Sequence, residues 1–366
     1  MTYKFPVYQP SLRGNEKKYV DDCLDSTWIS SKGKYIKLFE ESFSKFTDIK
    51  YSVAVSNGTV ALHLALLALG IGEEDEVIVP TFTYIASVNA IKYVNAKPVF
   101  VDSDPQSWQI DPSKIREKIT KKTKAIMAVH IYGHPCDMKQ IKKIAVEFKL
   151  YIIEDCAEAI GSYYEKKHAG SFSDIATFSF FGNKTITTGE GGMVCSNNKN
   201  LIDLVVRLKG QGLAQGKEYF HDIIGYNYRM TNICAAIGFA QLERINDIIK
   251  EKDRIIAEYE KALKNVPVVV HQEVGNVKHS YWMFTILAAS EKEKNELRAY
   301  LVENGIETRP AFHPVHTMPM YIEGNTYPVA EDLGKRGINL PSYPDLSNDD
   351  IRFITSKISA FYNEKK

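Results

Sequence analysis

No stretch of this chain approaches the roughly 18 apolar residues that a membrane span needs, and its first residues, MTYKFPVYQPSLRGN, lack the apolar core of a signal peptide. Neither sign of charge dominates: 46 basic residues face 45 acidic ones, which leaves no electrostatic footprint for nucleic acid or an anionic membrane surface. Cysteine is sparse. Cys23, Cys136, Cys156, Cys195 and Cys234 are scattered, odd in number and free of any C-x-x-C pair, which argues against a disulfide framework or a zinc cluster. A phosphate loop is also missing, because Gly33 in SSKGKYIKLFE lacks the G-x-x-x-x-G-K-[ST] spacing, so nucleotide hydrolysis is discounted. There is no internal repeat or low-complexity tract. The expectation is a soluble protein of the reducing cytoplasm that acts on small, locally recognised ligands.

What is present is a large core. With 366 residues, 44% of them hydrophobic, the chain is long enough for about two or three domains. From Tyr51 onward short β-branched runs (YSVAV, EVIV, PVFV, AIMAV, YIIED, IATFSF, GGMVCS) alternate with helical stretches, the rhythm of an α/β fold. Near-continuous apolar strands such as AIMAV suit a parallel or mixed sheet covered by helices on both faces. Between Asn232 and Leu263 the pattern predicts a long, charged helix, and past Pro267 strands and helices follow in a different order. The predicted division is a large domain over 1–265, with the N-terminal segment, and a small α+β domain over 266–366.

Three segments carry chemistry. In VSNGTVALHLAL a strand end runs through Ser56, Asn57, Gly58 and Thr59 into a helix, where exposed amides and the helix dipole favour an anion such as phosphate; taken alone it also reads as an ordinary helix cap. In YIIEDCAEAIG, Glu154 and Asp155 emerge from an aliphatic strand, at the edge where open α/β sheets bind ligands, and an acid there can hold a protonated ring nitrogen or cap the next helix. In SFFGNKTITTGEGG, Lys184 follows an apolar run and suits Schiff-base chemistry with a carbonyl. A phosphate cradle, a pyridinium partner and an aldehyde-trapping amine in one chain are what a pyridoxal phosphate enzyme needs. His313 and His316 in HPVH do not form a metal site, since Pro314 disfavours a regular helix and no acid or cysteine cluster joins them; no metal is expected.

Six blocks, SNGTVALHLAL, VIVPTFTYIASVNAI, VFVDSDPQSWQIDP, IEDCAEAIGS, FSFFGNKTITTGEGGMV and IGYNYRMTNICAAIGFAQLE, occur in an order that resembles the DegT/DnrJ/EryC1/StrS sugar aminotransferases across nearly the whole chain. The resemblance implies a pyridoxal 5'-phosphate enzyme of the aspartate aminotransferase fold (fold type I). It makes Lys184 the covalent cofactor anchor, Asp155 the partner of the pyridine nitrogen, and Tyr84 the ring stacked on the cofactor. Gly58, Thr59 and Ser179 match positions that hold the phosphate. Asn227, in GYNYRM, matches an asparagine that reaches the phosphate of the neighbouring subunit, which implies a homodimer with composite active sites; Arg229 beside it is a candidate for binding substrate. Many relatives carry glutamine where this chain has Glu158, near the cofactor's phenolic oxygen. A carboxylate there either has its pKa raised by the pocket or turns away.

The resemblance further implies transfer of an amino group, with L-glutamate as donor and a nucleotide-linked keto sugar as acceptor. A branch of the family that dehydrates sugars has histidine in place of the lysine, and this chain keeps Lys184. The strings GQGLAQGKEYFHDIIGYNYRMTN and TRPAFHPVHTMPMY are most similar to the perosamine-forming branch, which aminates GDP-4-keto-6-deoxymannose, and Arg309, His313 and Met318 would line the sugar-nucleotide pocket. UDP-linked, dTDP-linked or non-nucleotide keto sugars are the alternative acceptors. From another class, the alternative is a non-catalytic nucleotide-sugar sensor or scaffold, whose mark would be loss of Lys184 or Asp155.

Overall fold

The computed structural model describes residues 3–364. Helices α1 (Glu16–Asp25) and α2 (Lys34–Thr47) precede strand β1 (Tyr51–Val55). Then strands and helices alternate: α3 (Gly58–Ala68), β2 (Glu76–Pro80), α4 (Ile85–Tyr93), β3 (Lys97–Val101), β4 (Thr123–Val129), α5 (Met138–Phe148) and β5 (Tyr151–Asp155). A short hairpin, β6 (Tyr163–Tyr164) and β7 (Lys167–His168), leads to β8 (Ile175–Ser179), β9 (Gly192–Ser196) and α6 (Lys199–Lys209). The seven longer strands form one sheet in the order β1-β9-β8-β5-β4-β2-β3, in which β9 runs antiparallel to both neighbours and the others are parallel to one another. This is the mostly parallel mixed sheet expected of an α/β fold.

Alternation along the strands divides the core. Val53, Val77, Val79, Ala125, Met127, Val129 and Ile153 pack with α3, α4 and α6 on one face. On the other, Ala54, Ala176 and Phe178 meet Phe39 and Phe43 of α2, while Ile78, Ile126 and Ile152 meet Ile141 and Ile144 of α5. Successive side chains of a strand point to opposite faces, so Asp155 follows Ile153 and Glu154 follows Ile152.

The long helix expected over 232–263 is two helices, α7 (Asn232–Glu243) and α8 (Ile245–Leu263), separated at Arg244, whose φ of −107° and ψ of 9° leave the helical basin. The break separates two burial regimes. The apolar α7 packs against α1 and α2, whereas the amphipathic α8 buries only one stripe, Ile248, Ile255, Ile256, Tyr259 and Leu263.

The remaining elements are β10 (Val269–Val270), β11 (Val277–Lys278), β12 (Phe284–Leu287), α9 (Glu291–Glu303), β13 (Arg309–Pro310), α10 (Pro328–Arg336), β14 (Gly337–Leu340) and α11 (Asn348–Asn363). They build an antiparallel sheet, β10-β12-β14-β13, while β11 joins the β6–β7 hairpin. Phe5 and the second half of α8 share the core of this sheet with α9 and α11. Among the described residues no helix is long and apolar enough to cross a membrane.

Candidate active site

The parallel strands deliver their C-terminal ends to one edge of the large sheet, where α/β proteins bind ligands. Asp155 ends β5 beside Val129 of β4 and is only 4% exposed. Its Oδ2 accepts from Ser87 Oγ at 2.7 Å and its Oδ1 from the Ala157 amide at 3.1 Å. Burial pushes this carboxyl above its usual range, against the pull of those hydrogen bonds and of Lys184.

Ser179 ends β8 next to the start of α3, where Asn57 caps the helix through a bond from Val60 N to its Oδ1 at 3.0 Å. A Cβ on Gly58 would stand 2.8 Å from Ser179 Cβ and 3.1 Å from its Oγ, so glycine keeps open the space in front of the first helical amides. Free amides and the helix dipole make this concavity an anion cradle.

Lys184 sits in the loop after β8. Its amide donates to Phe181 O at 2.9 Å and its carbonyl accepts from the Tyr8 hydroxyl, so the loop is held from two directions. The Lys184 side chain is 11% exposed; Nζ lies 3.4 Å from Glu158 Oε1 and 3.8 Å from the centroid of the Trp282 ring. Glu158 does not turn away. It is buried, its Oε2 accepts from Tyr132 N at 2.7 Å, and burial raises its carboxyl above the usual range while Lys184 opposes that shift.

Gly58, Thr59, Tyr84, Asp155, Glu158, Ser179 and Lys184 line a single cavity of about 560 Å³, within the range that binds small organic ligands. Tyr84 is exposed at its mouth, its ring 5.6 Å from Phe312. A second cavity of about 710 Å³ shares Thr83, Tyr84, Phe181, Asn183, Trp282 and Phe312 with the first, and Arg309, His313 and Met318 line it. Arg309 there pairs with Glu307 at 2.7 Å. Asn227 and Arg229 line neither cavity; both are exposed, and Arg229 Nη2 donates to Asn227 Oδ1 at 3.2 Å. The two histidines of HPVH part company, since His313 is exposed while His316 is buried against Thr81 Oγ1 at 2.7 Å.

Ser87, Tyr132 and Trp282 were not anticipated from sequence. Ser87 carries a legible signal, lying one helical turn after Tyr84, which puts both on one face of α4. Trp282 lines the cavity and Tyr132 lies behind its wall, donating its amide to Glu158; neither carries a signal, because each meets the site through contacts distant in the chain. Asn183, before the lysine, keeps a buried Oδ1 with no hydrogen-bond partner at the wall between the cavities. An orphaned buried acceptor is costly unless a ligand supplies its donor. Together the residues offer an anion cradle, a buried carboxylate for a cationic ring nitrogen and a shielded amine for a carbonyl, a donor set that fits pyridoxal phosphate.

Residues 10–359 match the DegT/DnrJ/EryC1/StrS aminotransferase family. The chain belongs to this family. It is 62% identical over 361 residues to the GDP-perosamine synthase of Escherichia coli O157:H7, covering 98% of this chain and 99% of that protein. The GDP-perosamine synthase of Vibrio cholerae is 52% identical over 363 residues, with 98% and 99% covered. Among solved structures, the putative sugar aminotransferase Spr1654 from Streptococcus pneumoniae in its PMP-form superposes with a TM-score of 0.95 at 27% identity, covering 99% of this chain and 98% of that one. The family membership and this superposition agree with the aminotransferase fold expected from the sequence.

Proposed function

We propose that this chain is a pyridoxal phosphate-dependent aminotransferase that moves an amino group from L-glutamate to GDP-4-keto-6-deoxymannose, giving 2-oxoglutarate and GDP-perosamine. The observation that carries the reaction type is the convergence of Lys184, Asp155 and the Gly58 cradle on one cavity. The acceptor follows from the two GDP-perosamine synthases that match the chain end to end.

Gly58, Thr59 and Ser179 would hold the cofactor phosphate, Tyr84 would face its ring, and Lys184 would anchor it covalently. When bound, pyridoxal phosphate supplies an electron sink for the carbanion at the donor's α-carbon. Asp155 would set the strength of that sink by favouring a proton on the ring nitrogen. Lys184 Nζ, the shielded amine of this cavity, would act as a general base toward the α-carbon proton of glutamate and, in the reverse sense, as a general acid toward the sugar carbon that receives the amine. Glu158, fixed by the Tyr132 amide, keeps the released amine inside the cavity rather than in solvent. Arg309, His313 and Met318, on the adjoining cavity, contact the sugar nucleotide. The working unit is a homodimer: Asn227 and Arg229, exposed away from their own cavity, serve the phosphate site and substrate of a second copy.

The test is the visible absorption spectrum of the protein with pyridoxal phosphate, recorded before and after L-glutamate, followed by product analysis with GDP-4-keto-6-deoxymannose. A yellow band that glutamate bleaches, with formation of 2-oxoglutarate and a GDP-amino sugar, is expected. No yellow band despite added cofactor overturns the cofactor assignment; bleaching without amination of the GDP-sugar overturns only the acceptor.

A further inference from the structure

Every polar group of Trp282 is engaged. Its amide donates to Tyr132 O at 2.8 Å and its carbonyl accepts from Lys252 Nζ at 3.1 Å. Its indole Nε1–H donates to Asn183 O at 2.6 Å, the carbonyl just before Lys184. Lys252 is itself buried and donates a second bond to Ser342 O at 2.7 Å, which ties the Trp282 backbone to the segment after β14. Tyr132 and Phe312 lie nearly parallel to the indole, at interplanar angles of 13° and 18°, and fix its plane. The backbone is bent to make this possible. Tyr281, just before Trp282, has φ 48° and Tyr132 has φ 56°, left-handed conformations that bulky side chains seldom adopt and that surrounding structure must enforce.

The indole so held does two things to one residue. Its edge fixes the loop at Asn183, and its face lies 3.8 Å from Lys184 Nζ, where an ammonium is attracted to the ring quadrupole. The amine's other polar neighbour, Glu158 Oε1, is at 3.4 Å, a long contact that alone would leave the four-carbon stem several rotamers. We propose that Trp282 is a positioning residue for Lys184, holding its loop through Nε1–H and its amine against the ring face so that Nζ is already oriented toward an incoming carbonyl. This deepens the aminotransferase reading and rests on it. Orientation before reaction removes much of the entropic barrier to forming a bond.

The experiment measures how fast cofactor-free protein develops its visible band after pyridoxal phosphate is added, and the circular dichroism of that band, for the wild type, Trp282→Phe and Trp282→Leu. Trp282→Leu, which lacks both donor and ring, is expected to slow capture by about tenfold or more, the effect of an amine no longer oriented before reaction, and to weaken or invert the dichroism. Trp282→Phe, which keeps a ring face, is expected to fall between. Wild-type rate and dichroism in Trp282→Leu overturn the proposal. If that variant does not fold, as judged by far-ultraviolet dichroism, Trp282→Phe decides, and unchanged rate and dichroism in it overturn the proposal as well. A wild type that forms no band fails for a different reason, because then the cofactor assignment falls and not the role of Trp282 alone.

Discussion

Glu154 and Asp155 are adjacent on β5, carry the same functional group and are 0% and 4% exposed, yet they belong to different regions of the molecule. Glu154 faces the scaffold. Its Oε1 meets His130 Nε2 at 3.0 Å and the Gly170 amide at 2.8 Å, and its Oε2 accepts from Phe172 N at 2.9 Å. Cys136 N donates to His130 Nδ1, which leaves the imidazole proton on the side of Glu154. Asp155 faces the cavity, with one bond from Ser87 and one from Ala157. Burial works against both charges. It is outweighed for Glu154, chiefly by His130, so that carboxyl lies below its usual range, while for Asp155 burial prevails and the carboxyl lies above it. The difference teaches that burial alone does not mark a functional acid: one saturated by its own chain is a strut, and one on a cavity wall is available to a ligand.

The contrast between cavity and scaffold can be broken by substitution. Lys184→Ala should abolish transamination and the yellow band while leaving the urea midpoint near that of the wild type; normal turnover would refute the assignment of that lysine. Asp155→Asn should lower kcat about 10²–10³-fold, the usual consequence of deleting one preorganised electrostatic partner, with little change in denaturation. Glu154→Gln should show the reverse pattern, a loss of about 3 kcal/mol in urea unfolding from an impaired buried pair, with kcat of the surviving folded protein within a few-fold of the wild type. If both substitutions gave the same pattern, the distinction between the two acids would be wrong.

Acid sharpens the same comparison. Burial lowers the pKa of His134 and His168 to about 4 and of His271 to about 3, against an ordinary 6.5. Because the folded values lie below the unfolded one, the unfolded chain binds more protons between them. The stability these neutral rings contribute is therefore complete above pH 6.5 and is lost as pH falls toward 4. Each should cost about 1 kcal/mol per pH unit in that window, read as a falling urea midpoint. The smallest effect compares two glycines. Gly58→Ala, which crowds Ser179, should weaken cofactor binding about tenfold, whereas Gly182→Ala, with nothing within 4 Å of its Cβ, should leave it unchanged in a cofactor titration.

The sequence by itself determined the α/β order, the glycine turn into α3, the acid at the end of β5 and the lysine in the loop after β8. These are local signals: strand alternation, capping residues and loop composition act over a few neighbours and survive in any window of the chain. Once Glu154 and Asp155 are seen to lie within β5, the period of two of a strand puts them on opposite faces. Which face holds the cavity was decided only by the tertiary structure, because α3 and α4 cover one side and α5 the other. Helix periodicity likewise could not show the break at Arg244, where the chain passes from a helix buried by α1 and α2 to one buried on a single stripe. Nor could it place Trp282 over Lys184, with Tyr8 bonded to the same loop, because the Trp282–Asn183 and Tyr8–Lys184 hydrogen bonds join residues 99 and 176 positions apart in the chain. Proximity of that kind comes from tertiary packing, and no local propensity encodes it.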